Sequence, residues 1–526
     1  MMAQIEIDQK LLNQMMANGL TSEFAGCLSP AFPKISQQLI RDEFDEQNSQ
    51  KLEQFVEERA INGQTADGIS RKKRDKRIKA LVGTIKGMAA KWSTDKAKLL
   101  ISGSFMFGLN TTDSDIDLIC VVPGNVIKKE HFLGEQNEIC VEKKCQNGEE
   151  GEKQNLSTPK AFYCHLCENE KVIDLLKIDD SRFDKLSFKC PHYKIDGRNP
   201  EKTFIPSCDI SDGKMKEKGR NYENLRFLIL ALKLWAKANF IYSNKFGFLN
   251  GVILTIMASK IALIYPNSSL HFLLCKFFLI YAARPFGLPI QLEQINEKSK
   301  ANPFLTKNPM ENEIKIYTPV FPQQNAARLI TYTNAKIIRK EMTEALNKLI
   351  NFGGHLFDWP SLLSSNTIDF VEKYENFIVI NCIGHDKISV QKFCQFVETR
   401  IRLQLAFDIS NRGTTTNWHI YPALFQETCQ ITQKLEEIPA KISCDYHHCK
   451  VWLIGTDQQL FNSNEKRLIN GKLLNFDWAI KRDFLKFNGK LSNKSGGNDN
   501  NDQFQKMGLN LKSICVPNMA HLLKNN

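Results

Sequence analysis

The stretch Gly103–Val122, GSFMFGLNTTDSDIDLICVV, decides the fold. Asp115 and Asp117 head an apolar run, Ile116–Val122, that reads as a buried strand. Residues two apart in a strand face one way, so the two carboxylates project together while Ile116 turns into the core. Adjacent carboxylates repel unless a cation lies between them. A hard divalent ion resolves this, and magnesium takes few carboxylates and completes its shell with phosphate oxygens and water. Just upstream, Gly103 and Ser104 follow the strand-like LLIS, Leu99–Ser102, and open a short helix. Backbone N–H groups at such a turn bind anions, glycine admits a phosphate closely, and the Ser104 hydroxyl adds a donor. Strand, phosphate-binding turn, short helix and acid-bearing strand together fit a nucleoside triphosphate held through metal ions.

Working outward, SRKKRDKRIKALVGTIKGMAAKW (70–92) has Ile78, Leu81, Ile85 and Met88 at helical spacing, so an amphipathic helix precedes the motif. Residues 1 to about 60 read as polar helices, 138–160 as an inserted loop, and 200–355 as long helices. From about 370 strands and helices alternate: FIVINCIG, SVQKFCQFVETRIRLQLAF, KVWLIG and DWAIKRDFLKF. That alternation implies a small sheet with helices on one face. NGKLSNKSGGNDNNDQ reads as a flexible loop.

The chain has 526 residues, enough for several domains, and 42% hydrophobic content, enough for a sizeable core. Its net charge of +12 favours an anionic partner, nucleic acid foremost. Fifteen scattered cysteines read as reduced intracellular thiols. The N-terminus lacks a signal-peptide pattern. The apolar stretches 251–266 and 270–287 are interrupted by Lys260 and Lys276, and read as buried helices rather than membrane spans.

With these residues in view, the sequence resembles the eukaryotic poly(A) polymerases, a family of the DNA-polymerase-β-like nucleotidyltransferases. That family carries Phe-Gly-Ser, ten residues, then Asp-Ile-Asp, the spacing seen here in SGSFMFGLNTTDSDID. The stretch NYENLRFLILALKLWAKANFIYSNKFGFLNGVILTIMASKIALIYPN (221–267) is similar to the family's central segment, and YTPVFPQQNAA (317–327) to its Pro-Gln-Gln-Asn segment. The resemblance implies an α+β molecule in three parts. These are a nucleotidyltransferase palm with a mixed sheet over 61–200, a helical middle domain over 201–355 against which N-terminal helices (1–60) pack, and an RNA-binding, RRM-like αβ domain over 356–526. It implies transfer of AMP from ATP to RNA 3′ ends, with Asp115 and Asp117 ligating two Mg²⁺ or Mn²⁺ ions. It further implies a monomer acting in the nucleus with mRNA 3′-end processing factors, away from membranes.

The resemblance also distributes roles. Gap-free counting onto the family pattern puts the third carboxylate, a metal ligand and acceptor of the 3′-hydroxyl proton, at Asp196, after a hairpin turning at Pro191-His192; Asp174, Asp179 and Asp184 are rivals. Ser102, Gly103, Ser104 and Thr111 match nucleotide-site positions. Lys233 would contact the triphosphate with Tyr242 in support; Asn244 would read the adenine edge, and Gly251-Val252 would pack on the base. Ser102 stands where the family has Phe, Met106 where it has Arg, and Asn250 where it has Gly. Two other readings remain open: a uridylyl-adding terminal transferase and a catalytically weak RNA-binding scaffold. Cys164 and Cys167 have zinc-ligand spacing, with Cys140 and Cys145 upstream; unligated thiols are the plainer reading. The run Arg71–Arg77 reads equally as an import or RNA-facing patch and as a solvated helix face. In CDYHHCK (444–450), His447 and His448 would face opposite sides of a strand and make no shared metal site.

Overall fold

The computed structural model describes residues 43–61, 71–93, 97–122, 132, 161–198, 219–284, 289–292, 314–351, 356–406, 418–422, 448–456, 467, 471–483 and 508–515, less a few short breaks inside those runs. These residues form two compact units: one from Glu53 to Leu230, the other from residues up to Leu52 together with those from Ala231 onward. The first described helix, α1 (Glu43–Val56), places Glu43, Asp45 and Glu46 in its first turn, where the positive end of the helix dipole favours acids.

In the first unit, α2 (Arg71–Ser93) follows from the expected periodicity. Its buried stripe is Ile78, Val82, Ile85 and Ala89, with Leu81 and Met88 packed at its margin. The basic run forms its opening turns, and Arg74 is drawn inward, donating to the Ile61 carbonyl at 3.4 Å. Next come β1 (Lys98–Ser102), the single turn α3 (Gly103–Met106) and β2 (Ile116–Val121). In β2 the odd positions Asp117 and Ile119 are half-buried, whereas Ile116, Leu118 and Cys120 are buried against α2. Each such buried aliphatic contributes about 1.5–3 kcal/mol, which pins the strand register against a one-residue slip. Helix α4 (Phe162–Cys167) closes the core with Phe162, stacked on Phe132 and tilted against Trp92.

Strands β3 (Ile173–Asp180), β4 (Phe183–Cys190) and β5 (Tyr193–Arg198) complete a five-stranded sheet of order β1-β2-β5-β4-β3. Only β2 and β5 pair in parallel, so the sheet is mixed as expected. The hairpin expected before Asp196 forms: β4 and β5 pair from Cys190 opposite Tyr193.

Helix α5 (Gly219–Ala238) carries the border between the units within it. Its first half is tied to the first unit, where Arg226 donates to the Gly108 carbonyl at 3.0 Å and Tyr222 to that of Phe107 at 3.4 Å.

The second unit holds α6 (Gly251–Ile264) and α7 (Leu270–Ala283), both buried nearly all round, N-capped by Asn250 and Ser269. Uniform apolarity here reflects a helical interior; among the described residues no helix is long and apolar enough to cross a membrane. Helix α8 (Tyr332–Ile350), capped by Thr331, packs on α7, and the short α9 (Trp359–Leu363) and α10 (Thr367–Glu372) follow.

The rest of this unit runs β6 (Asn376–Gly384), α11 (Lys387–Arg400), β7 (Trp418–Ile420), β8 (His448–Thr456), α12 (471–483) and β9 (Gly508–Cys515). The sheet is wholly antiparallel, in the order β7-β8-β6-β9. Among the described residues, β-α-β-β-α-β in this sheet order is the split-βαβ arrangement. Phe377 to Ile380 are buried in succession, so β6 is covered on both faces. The expected loops at 138–160 and 488–503 lie outside the described residues.

Candidate functional site

The predicted site residues fall into two groups, one in each unit. The first is built on β1, α3, β2 and β5. Register alone creates a row across adjacent strands: Ser102 pairs with Asp117, and Asp117 with Asp196. Neighbouring strands lie about 4.8 Å apart, so two acids stand one strand spacing from each other, with Asp115 just before β2. The rivals stand farther off. Asp184 is on β4 and Asp174 and Asp179 are on β3, two and three strands from β2.

Gly103 shows why the motif needs its glycine. Its φ is +65°, a region side-chain-bearing residues avoid. A Cβ built there would stand 2.1 Å from the Asp117 Oδ2 atom. The Asp117 carboxylate therefore occupies the space a side chain would take, directly against the Gly103-Ser104 turn. That turn is closed by Leu109 N–H donating to the Ser104 carbonyl at 2.8 Å. Thr111 acts within the following loop. Its N–H donates to Ser114 Oγ at 2.8 Å, its hydroxyl lies 3.0 Å from the same atom, and Ser114 N–H returns to the Thr111 carbonyl at 3.1 Å. These three contacts fix the loop that leads the chain into β2 at Asp115. Asp115 and Asp117 remain half-buried, reachable by solutes.

The donor set of Asp115, Asp117 and Asp196 is made of hard carboxylate oxygens, the chemistry that suits Mg²⁺ or Mn²⁺. The fit rests on the register row and on the Gly103 notch that accommodates Asp117. Among the described side chains no group of three His, Cys, Asp or Glu is gathered for a metal; Asp196 enters here by its strand register. Cys164 and Cys167 sit half-buried on α4 and form no disulfide, and Cys140 and Cys145 lie outside the described residues.

The second group gathers at the start of α6. Lys233 is buried, yet its side chain reaches Gly251: a Cβ there would lie 3.9 Å from Lys233 Nζ and 3.4 Å from the Tyr242 hydroxyl. Lys237 lies 5.7 Å from the centre of the Tyr242 ring, adding a second cation. Val252 is exposed, and so is Asn244. The departure at Asn250 has a local reason. Its Oδ1 accepts from Ile253 N–H at 2.9 Å, capping α6, while its Nδ2 donates to Asn244 Oδ1 at 3.0 Å. Asn250 thereby orients Asn244, a role that spacing in the sequence did not reveal. Asn334 was also missed: its Nδ2 donates to the carbonyls of Phe246 and Gly247, at 2.7 and 2.9 Å, and holds the turn that carries Asn244. The Pro-Gln-Gln-Asn segment is structural here. Buried Asn325 Oδ1 accepts from Ile316 N–H at 3.1 Å and Ala327 N–H at 2.9 Å.

Comparison with known proteins gives two family matches: residues 83–182 to the nucleotidyltransferase domain and residues 224–365 to the poly(A) polymerase central domain. Among curated relatives, nuclear poly(A) polymerase 1 of Arabidopsis thaliana is 22% identical over 424 residues, covering 73% of this chain and 55% of that protein. The poly(A) polymerase of Dictyostelium discoideum is 25% identical over 332 residues, 61% of this chain and 39% of that one. The chain thus spans about half or less of the length of these relatives. Among solved structures, a Cid1 poly(U) polymerase is 17% identical with a TM-score of 0.44, covering 62% of this chain and 100% of that chain. A cytoplasmic RNA terminal U-transferase is 16% identical with a TM-score of 0.43, covering 61% and 99%. Residues 83–182 thus match a nucleotidyltransferase domain and residues 224–365 a poly(A) polymerase central domain, and the chain is similar to eukaryotic poly(A) polymerases.

Proposed function

We propose that this chain is a template-independent polynucleotide adenylyltransferase that adds AMP from ATP to RNA 3′ ends. The observation that carries the reading is the register row Ser102–Asp117–Asp196, with the Asp117 carboxylate seated in the Gly103 notch. Two Mg²⁺ or Mn²⁺ ions, when held by Asp115, Asp117 and Asp196, neutralise phosphate charge and ease ionisation of the 3′-hydroxyl. Asp196, on the strand beside Asp117, accepts the proton of that hydroxyl. Gly103 and Ser104 offer backbone donors to the phosphates, and Thr111 holds the loop that presents Asp115. Lys233 and Lys237, beside Tyr242 and Gly251, supply cations for the triphosphate. Asn244, oriented by Asn250, and the exposed Val252 address the base.

The C-terminal split-βαβ unit serves as the RNA-binding, RRM-like domain. Because β6 is covered on both faces, stacking of bases on the central strand is unsuited to it. Phosphate contacts from the α12 surface suit it better. Trp478 is exposed there beneath Arg482, whose guanidinium lies 4.6 Å from the ring centre. Action as a monomer in the nucleus, with mRNA 3′-end processing factors, belongs to the same reading; its support is a relative named as a nuclear poly(A) polymerase.

The test is extension of an RNA primer by the pure protein, given each nucleoside triphosphate separately with Mg²⁺ or Mn²⁺. ATP is the expected substrate, and Asp115→Ala should abolish extension. Preference for UTP would overturn the base assignment, and no extension with any nucleotide in either metal would overturn the enzyme reading.

A further inference from the structure

A second constellation of reactive groups lies where α1 meets α7, apart from the nucleotidyltransferase residues. His271, in the first turn of α7, is 8% exposed. Its Nδ1 lies 2.8 Å from Asp45 Oδ1 on α1, and its Nε2 lies 3.5 Å from the sulfur of Cys275, one helical turn onward. The backbone N–H of His271 donates to Ser49 Oγ on α1 at 3.0 Å, so the ring is held from both helices. Phe44 and Trp359 stand edge-on to the ring, at 6.2 and 5.9 Å between centroids, and shield it from water. Acid, imidazole and thiol in line are the parts of an activated nucleophile. The carboxylate fixes the tautomer with its proton on Nδ1, leaving Nε2 to take the thiol proton. Burial disfavours the charged ring, but the bonds to Asp45 and Cys275 outweigh it and raise the His271 pKa to about 9. Cys275 itself is only half-buried, open to small reagents. The buried Cys120 stands in contrast, its thiol pushed up to about 12 by desolvation.

We propose that Cys275 is an activated thiol that undergoes reversible mixed-disulfide formation with low-molecular-weight disulfides of the glutathione type. The Cys275 thiolate attacks one sulfur of the incoming disulfide. A new S–S bond forms, the old one breaks, and the departing thiolate takes a proton from the His271 imidazolium. The bond sits at the contact of α1 with α7, so the modification couples redox state to the seating of α1. The titratable group that contacts the thiol is His271, itself bonded to Asp45 on α1, while Lys276 lies over the Tyr265 and Phe272 rings.

A free thiol is about 1% thiolate at pH 6.5. The thiolate is the attacking form, so a thiol with a neighbouring imidazole placed to take its proton reacts faster than an unassisted one, by about tenfold at this pH. The experiment treats the full folded chain with limiting iodoacetamide from pH 6 to 8 and reads each cysteine by peptide mass mapping. Cys275 should react about tenfold faster than the half-buried Cys164 and Cys167 at pH 6.5, with a nearly flat pH profile. Asp45→Asn should slow it and make its rate climb with pH, a change that loosened packing alone does not produce. Glutathione disulfide should add one glutathionyl group at Cys275, removable by dithiothreitol. A wild-type Cys275 rate at or below those of Cys164 and Cys167, or one that climbs with pH as theirs do, would overturn the proposal without recourse to any variant.

Discussion

Gly103, just past the end of β1, meets Asp117 on the neighbouring β2, and that contact sets the tolerance of the candidate site. In Gly103→Ala the new methyl would collide with the Asp117 carboxylate while the backbone is held at positive φ. Displacing a reacting group by about 1 Å costs roughly a hundredfold in rate, so primer extension should fall by at least about that factor, beyond what the accompanying loss of about 1–3 kcal/mol in stability explains. A second pair of variants addresses the third acid. Asp196→Asn should remove extension, whereas Asp184→Asn, two strands from β2, should retain it; the reverse pattern would move the third acid to a rival. At this scale Asp115 and Asp117 were legible because a period of two survives in the residue order. The neighbourhood of Asp196 was not, because it depends on which strand pairs with β2. Nor was the Asn250–Asn244 bond, which arises from a cap geometry.

At the scale of elements, the end of β8 illustrates how a glycine is required by a neighbour. Gly455 pairs with His419 in the sheet, and the Tyr374 ring lies over its Cα, so that a Cβ would stand 2.3 Å from the ring. Displacing that ring would break the 2.6 Å bond by which the Tyr374 hydroxyl donates to His419 Nδ1; His419 Nε2 donates at 3.0 Å to the Phe240 carbonyl. Gly455→Ala should therefore cost about 2–4 kcal/mol, through overpacking and a buried nitrogen left without its donor, read by urea denaturation. The buried ion pair of Lys373 with Glu341 behaves similarly. Lys373→Met would strand the Glu341 carboxylate and cost about 3–5 kcal/mol. The double variant with Glu341→Leu should recover much of that loss, because the stranded charge is then gone. Several elements were readable from the residue pattern, α2 and β2 in one unit and α6, α7, β6 and β8 in the other, whereas β3, β7 and β9 were not. Tyr374, His419 and Gly455 carry no local pattern, since their partnership joins segments far apart in the chain.

For the whole molecule, two buried histidines set opposite pH limits on stability. Burial holds the His419 pKa down to about 3, well below its unfolded value near 6.5. The unfolded chain thus binds the extra proton first, and stability should fall as pH drops from about 6.5 toward 3. The His271 pKa is instead raised to about 9, so its contribution is complete below about 6.5 and is lost as pH rises toward 9. Each limb has a slope of up to about 1.4 kcal/mol per pH unit. The thermal midpoint should therefore peak near pH 6.5, and His271→Gln should flatten the alkaline limb alone. By itself the amino-acid order determined the helix before the motif, the strands β1, β2, β6 and β8, the buried nature of the two apolar helices, and the paired acids beside a Gly-Ser turn, but not α4, β3, β7 or β9. Those features follow from periods of 2 and 3.6 residues and from local turn chemistry. Only the tertiary structure decided that Asp196 lies beside Asp117 and that Lys233, Tyr242 and Gly251 converge. It alone brought Asp45, His271 and Cys275 into line. Strand order and helix packing are settled by burial of whole faces, and residues far apart in sequence become neighbours only when those faces close.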